Sequence, residues 1–219
     1  MELPADLDRI LGPRDVVVVE GVDAEAYLHS QLSQVVTGME VGERRWTFVL
    51  EPTGKIDALA RITRVGDQRF ELDTDAGFGE SLLARIDRFK IRVDAATTLV
   101  SADDAEAGPD ETARVALGWP RMGAEIEPGE AIPAGTGLTR IAVCFTKGCY
   151  PGQELVERMD SRAAEAPRSI RRLTVEAGTT VGDPIVDDGA EVGLVTSVAG
   201  TRALGWVKRS SAIGDVVQF

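Results

Sequence analysis

Hydrophobic positions in the first half of the chain switch between strand and helix periods. Val16 to Val19 is a β-branched run closed by Glu20-Gly21, which predicts a buried strand entering a turn. Asp23 stands where an N-cap belongs, and Leu28, Leu32 and Val35 follow at helical spacing, predicting a helix over about 23–34. Trp46, Phe48 and Leu50 then alternate with polar neighbours, Pro52-Thr53-Gly54 is a turn, and Ile56, Ala58, Ala60 and Ile62 alternate again. Gly66-Asp67 marks a second hairpin ahead of Phe70 and Leu72. Leu82, Leu83, Ile86 and Phe89 share one face of a second predicted helix, and Ile91 and Val93 alternate as a strand after it.

This order suits an α+β arrangement of ferredoxin-like kind, an antiparallel sheet with helices on one face. The acidic, Gly- and Pro-containing stretch between Ser101 and Glu111 reads as a linker between sub-lobes 1–100 and 101–166 of one α+β region, 1–166. From Ile170 onward the texture becomes short apolar strands divided by Gly182-Asp183-Pro184, Asp188-Gly189, Ala199-Gly200 and Ile213-Gly214-Asp215. That pattern predicts a small C-terminal β-barrel over 167–219, with Pro167 at the boundary.

Composition narrows the function classes. With 36 Asp+Glu against 24 Lys+Arg the net charge is -12, a surface that repels phosphate backbones and anionic lipid. Neither direct nucleic-acid binding nor membrane association is expected. The start, Met1 to Asp6, lacks the basic and apolar segments of a signal peptide, so a cytoplasmic protein is expected. The two cysteines, Cys144 and Cys149, cannot build a disulfide framework, and the single histidine, His29, lies too far along the chain to complete a metal set with them. His29, on the predicted helix beside Ser30, is read as solvated or capping rather than catalytic.

Candidate chemistry gathers between Thr146 and Glu154. Gly148 and Gly152 permit positive φ or close approach, and Pro151 stiffens the span between them. Lys147 is expected to favour the thiolate of Cys149, as would the amino end of a helix beginning at Gln153. Cys144, between Val143 and Phe145, is expected to pack as a small hydrophobe.

Lys147-Gly148-Cys149-Tyr150-Pro151-Gly152-Gln153-Glu154 resembles, position by position, the K-G-C-[FY]-x-G-Q-E signature of the YgfZ/GcvT-like folate-binding family. Gly21-Val22-Asp23-Ala24, Tyr27-Leu28, Gly54-Lys55-Ile56 and the segment through Arg114, Gly118 and Pro120 extend the resemblance over most of the chain. It implies a relative of the glycine-cleavage T-protein with a terminal barrel and tetrahydrofolate as cofactor. Its implied partners are iron–sulfur cluster enzymes or assembly proteins, with tRNA modification supported indirectly. It further implies Cys149 and Lys147 as catalytic residues, and Tyr150, Gly152, Gln153, Glu154, Arg114 and Trp119 around the ligand. A tryptophan there is either a stacking platform or core.

Two departures bear on activity. The T-protein's first hairpin carries G-G-I-x-D-D, whereas Asp57 here is followed by Ala58 and Leu59, and on a strand a one-residue offset turns a side chain to the other face. Loss of the aminomethyltransferase base is expected. The family's R-x-E-x-G carboxylate is replaced by Ala116, a charged hydrogen bond worth roughly 1.5–3 kcal/mol, unless Glu125 or Glu127 substitutes. The expected function is therefore an accessory factor acting through Cys149, with a folate-dependent one-carbon transferase and a non-catalytic scaffold as alternatives.

Overall fold

A computed structural model describes residues 3–103, 108–161 and 166–219. Its elements run α1 (Leu7–Leu11), β1 (Arg14–Glu20), α2 (Ala24–Gln31), β2 (Arg44–Leu50), β3 (Ile56–Gly66), β4 (Arg69–Asp75), α3 (Gly79–Asp87), β5 (Ala96–Val100), α4 (Glu111–Leu117), α5 (Pro133–Thr136), α6 (Thr139–Ala142), α7 (Gln153–Ser161), β6 (Arg168–Thr174), β7 (Pro184–Asp187), β8 (Ala190–Ala199), β9 (Arg202–Lys208) and β10 (Asp215–Val216). They build two antiparallel five-stranded sheets, ordered β2-β3-β4-β1-β5 and β10-β6-β9-β8-β7.

In the first sheet β4 lies between β1 and β3, and β1 lies between β4 and β5. Every neighbouring pair is antiparallel, so β1 and β3, and likewise β4 and β5, run parallel without touching. That is the split β-α-β order of a ferredoxin-like sheet, extended at one edge by β2. Asp15 of β1 binds α3 to this sheet: its Oδ2 accepts from the amides of Gly77 and Gly79, each at 2.8 Å, and satisfies donors at the helix start. The Tyr27 hydroxyl donates to the Ile86 carbonyl and holds α2 beside α3.

Two sequence expectations shift. Residues 46–50 are all buried rather than alternating, because Ser33 and the 142–144 segment cover the second face of β2. No strand forms at Ile91 and Val93: Ile91 is exposed and Arg92 takes a left-handed φ of 57°. The strand falls five residues later, where Ala96 to Val100 register against β1. Phe89 lies beyond the end of α3, half-exposed under the Arg85 guanidinium at 4.7 Å.

The second sheet follows the predicted turns. Asp188 and Gly189 both have positive φ, the geometry that matches a two-residue hairpin to strand twist, and they join β7 to β8. Among the described residues no ladder joins β7 to β10, so the sheet is open where a closed barrel is expected. One core spans both sheets: Trp119 packs tilted against Trp46 of β2, ring centroids 4.7 Å apart, and edge-on against Phe219 at 5.1 Å, with Ile170 and Leu204 from the second sheet in the same cluster. The expected boundary at Pro167 adjoins residues 162–165, and the linker between Ser101 and Glu111 includes residues 104–107; both four-residue pieces lie outside the described residues.

Candidate functional site

The cysteine loop is fastened at three places, to the segment after α2, to the end of α2 and to the β2–β3 turn. At its upstream end the Cys144 amide donates to the Ser33 carbonyl at 2.9 Å, and buried Ser33 donates from Oγ to the Ala142 carbonyl at 2.6 Å. In the middle, the Lys147 ammonium donates to the carbonyls of His29 and Leu32 and lies 4.9 Å from the Tyr150 ring centroid. Those carbonyls belong to the carboxyl-terminal end of α2 and its exit, where a cation satisfies unpaired acceptors and the helix dipole together. Burial pushes the Lys147 amine down to about 8.

At the downstream end Gly152, with φ of 80°, presses against the β2–β3 turn. A Cβ there would fall on the Glu51 carbonyl oxygen, and one at Gly54 would sit 2.5 Å from Leu155 Cβ. Tyr150 and Gln153 exchange two bonds, Tyr150 N to Gln153 Oε1 at 3.0 Å and Gln153 N to Tyr150 O at 3.3 Å, a reciprocal cap that begins α7. Between the fastened points Gly148 and Cys149 stand exposed.

The two thiols differ from expectation. Lys147 is turned toward α2, and the thiol that feels its charge is Cys144. The Thr146 hydroxyl, 3.5 Å from Cys144 Sγ, is the largest influence holding that thiol below its ordinary value; the amides of Thr146 and Lys147 and the Lys147 ammonium act with it, against burial. Cys144 is half-buried and hydrogen-bonded rather than sealed in apolar packing. His29 Nδ1 accepts from Val36 N at 3.2 Å, a bond that ties α2 to the loop after it and caps no helix end, and burial with Lys147 nearby lowers its pKa.

The residues expected around a folate are mostly committed to the core or to partners within the protein. All five N–H groups of Arg114 are engaged, by Glu111, the Trp119 carbonyl, Glu125 and Ser197. Glu125, buried, accepts from Arg114, the Arg121 amide, Thr196 and Ser197, which leaves it no role as a substitute pterin acceptor. Trp119 is core, 1% exposed. Gly152 and Gln153 serve the loop's own backbone, Tyr150 is buried, and Glu154 is exposed on the first turn of α7. Gly148 has no positive φ, and its missing side chain faces open space.

Cavities lie elsewhere. One of about 480 Å³ is lined by Phe78, Met122, Arg114, Arg121 and Asp75 beside α4, and the Arg121 Nε there is a buried donor without a partner. Ala116 opens into a hollow of about 320 Å³ with Arg172, Thr174, Arg202 and Asp215. Glu127 borders a third cleft with Glu130, Arg168 and Trp206.

Asp57 also departs from simple strand alternation. It sits at a bulge, since Ala58 faces Val49 while Ile56 faces Leu50, and a bulge re-aims the side chain. The carboxylate pairs with Arg85 of α3 at 2.9 Å. Burial holds it above the usual carboxylate range in spite of that cation.

The chain has the fold of glycine cleavage aminomethyltransferase T. It is similar to the crystal structure of that protein of the glycine cleavage system from Bartonella henselae, with a TM-score of 0.73 and 16% identity over 89% of this chain and 76% of that one. In sequence it is 22% identical to an uncharacterized protein of Haemophilus influenzae over 237 aligned positions, covering 88% of this chain and 84% of the relative. No family model matches. Among the described residues no helix is long and apolar enough to cross a membrane, and no three His, Cys, Asp or Glu side chains are grouped to hold a metal.

Sequence reasoning missed Ser33 and Arg85, and included Thr146 in the loop without its contact to Cys144. Thr146, two positions after Cys144, is the one with a local signal, because a hydroxyl at that spacing can fold back on the preceding side chain.

Proposed function

We propose that the chain is a YgfZ/GcvT-like accessory protein for iron–sulfur cluster assembly or repair, acting in the cytoplasm and supporting tRNA modification through cluster-bearing enzymes. Cys149 is its working thiol. The observation that carries the reading is the three-point fastening of a complete K-G-C-Y-x-G-Q-E loop that leaves Cys149 exposed between the anchors. A thiol so presented can ligate iron in transit or exchange with a partner disulfide, and its fixed base keeps the approach geometry constant. The 1–166 and 167–219 division belongs to this proposal, as does a barrel-like carboxyl-terminal module.

Tetrahydrofolate is the cofactor that the resemblance implies, and the residues it points to do not fit it: Arg114 has no free donor, Trp119 is core, Tyr150 is buried, Gly152 and Gln153 serve the loop's own backbone, and Glu154 is exposed on α7. No step of the proposal runs through folate. Calorimetric titration of tetrahydrofolate into the wild type and Ala116→Glu decides its place: heat from either gives the fold a folate site, and silence from both leaves a thiol protein.

The central test is a Cys149→Ser strain assayed for cluster-enzyme activity in cells. Activity should fall while the amount of protein stays constant. Full activity would reduce the chain to a scaffold.

A second reading, a folate-dependent one-carbon transferase, draws on the half-buried Asp57 carboxyl in its bulge. The Arg85 pairing holds that carboxylate against α3, which disfavours it as a base. Turnover of an aminomethylated carrier protein with tetrahydrofolate would establish this reading.

A further inference from the structure

Arginines of the first sheet and its helices are paired. Arg14, Arg45, Arg61, Arg64 and Arg85 are each buried or half-buried, and each lies within 4.0 Å of a carboxylate, as expected where 36 acids face 24 bases. Strand β6 is different. Among the described residues Arg168, Arg171 and Arg172 form no ion pair, and neither does Arg202 on the neighbouring β9. Arg171 is 6% exposed, donates to the Ile213 carbonyl at 2.9 Å and keeps a buried Nε without an acceptor. The chain is strongly acidic, yet this strand carries uncompensated positive charge.

Two of these arginines meet at a cavity. Thr174 registers opposite Arg202, and Arg172 stands two residues before Thr174, so the three side chains leave one face of the sheet together. Helix α4 covers that face but offers only a methyl group at Ala116, and a hollow of about 320 Å³ remains between them, with Val115 and Ala203 as apolar wall. Arg172 is held in place. Its stem passes over Gly118, where a Cβ would lie 3.1 Å from Arg172 Cδ, and one N–H donates to the Leu117 carbonyl at 3.3 Å. That bond satisfies an acceptor at the carboxyl end of α4, and the rest of the fork has no protein acceptor. Exposed Arg202 has none for any of its donors. Asp215 also lines the hollow and opposes an anion there, but two guanidinium groups outnumber it, and buried Arg171 beside Arg172 adds a field of their sign.

We propose that this hollow binds a small phosphate monoester by its phosphoryl group, with Arg172 and Arg202 as the forks and the Thr174 hydroxyl as a further donor. Each arginine carries five N–H donors, so two nearly free forks call for more acceptor oxygens than one carboxylate presents, and a phosphoryl group has three. The volume lies at the small end of ligand sites, about 300–1,000 Å³, which fits a phosphoryl group on a short carbon stub rather than a nucleotide. A net charge of -12 repels an extended polyanion, so a nucleic-acid backbone is not the occupant. The hollow shares no residue with the cysteine loop, and the inference stands apart from the accessory reading.

The test titrates inorganic phosphate, glycerol 3-phosphate and glutarate into the full-length protein by calorimetry at low ionic strength. Both phosphates should bind saturably with one site per chain, and glutarate more weakly. Arg202→Gln changes an exposed side chain, and Ala116→Glu puts a carboxylate into the hollow; each should weaken phosphate by about tenfold or more. Arg168→Gln, on the same strand but outside the hollow, should bind as wild type does. Phosphate should also raise the thermal midpoint of the wild type and leave that of Arg202→Gln unmoved. Absence of saturable phosphate binding, equal weakening in Arg168→Gln and Arg202→Gln, or glutarate binding as tightly as phosphate would overturn the proposal.

Discussion

Lys147 keeps its charge in a place that disfavours it. Burial brings its amine to about 8 from an ordinary 10.5. Between those values the unfolded chain holds the proton and the folded chain has released it, so stability rises with pH across that interval. Tyr27 and Tyr150 act in the opposite sense. Their phenols are pushed up by burial to about 12, so above pH 10 the unfolded chain loses protons first and stability falls as pH rises. Urea midpoints should therefore increase from pH 7.5 to 9.5 in the wild type, and the increase should shrink in Lys147→Met. Equal increases in both proteins would remove Lys147 as the cause. The residue type was readable in the chain, but its destination was not, because the carbonyls it meets are more than a hundred positions away and carry no sequence mark. The same limit explains why the electrostatic influence assigned to Cys149 falls on Cys144.

At the level of elements, alternation and turn residues located β1 to β4, α2, α3 and the strands of the second sheet. They missed whatever depends on partners. β5 is set by its ladder with β1, so the alternation of Ile91 and Val93, which has no neighbouring strand, leads only to a left-handed turn at Arg92. The Asp57 bulge follows from β2–β3 register, which period-2 counting cannot contain. Asp57→Ala would leave the Arg85 guanidinium, 6% exposed, without its anion. The expected cost is about 2–3 kcal/mol, somewhat less than for a fully buried pair. Asp57→Ala with Arg85→Met should recover part of it in chemical denaturation. A second element-scale prediction concerns α7: Gly152→Ala meets both a left-handed φ and the Glu51 carbonyl. The backbone strain alone is worth about 1–3 kcal/mol. Thermal unfolding should show a lowered midpoint.

Across the whole molecule, one buried group ties the parts together. Arg114 of α4 and Glu125 pair at 2.9 Å with almost no exposure, and both bond Ser197 of β8 in the second sheet. Removing Glu125 leaves Arg114 with Glu111 as its anion but strips the acceptor from Thr196, Ser197 and the Arg121 amide, so Glu125→Ala should cost about 1–3 kcal/mol. Calorimetry should show a broadened or divided transition, because the network and the Trp46–Trp119–Phe219 cluster jointly couple the sheets. A single sharp transition would place that coupling in the aromatic cluster alone. Sequence patterning conveyed two textures and a change near Pro167, but not that Arg114, Trp119 and Glu125 are committed to joining them. Polar residues in a family-like segment look available until their partners are known.

The close backbone approach of Gly152 to the β2–β3 turn makes the cysteine loop asymmetric in its freedom. Its rear is clamped to a hairpin that belongs to the first sheet's edge, while its front ends in an unencumbered glycine. Whatever engages Cys149 must therefore draw it out by rotation about Gly148, like a latch on a fixed plate, and the strain of that movement stays local instead of propagating into the sheet.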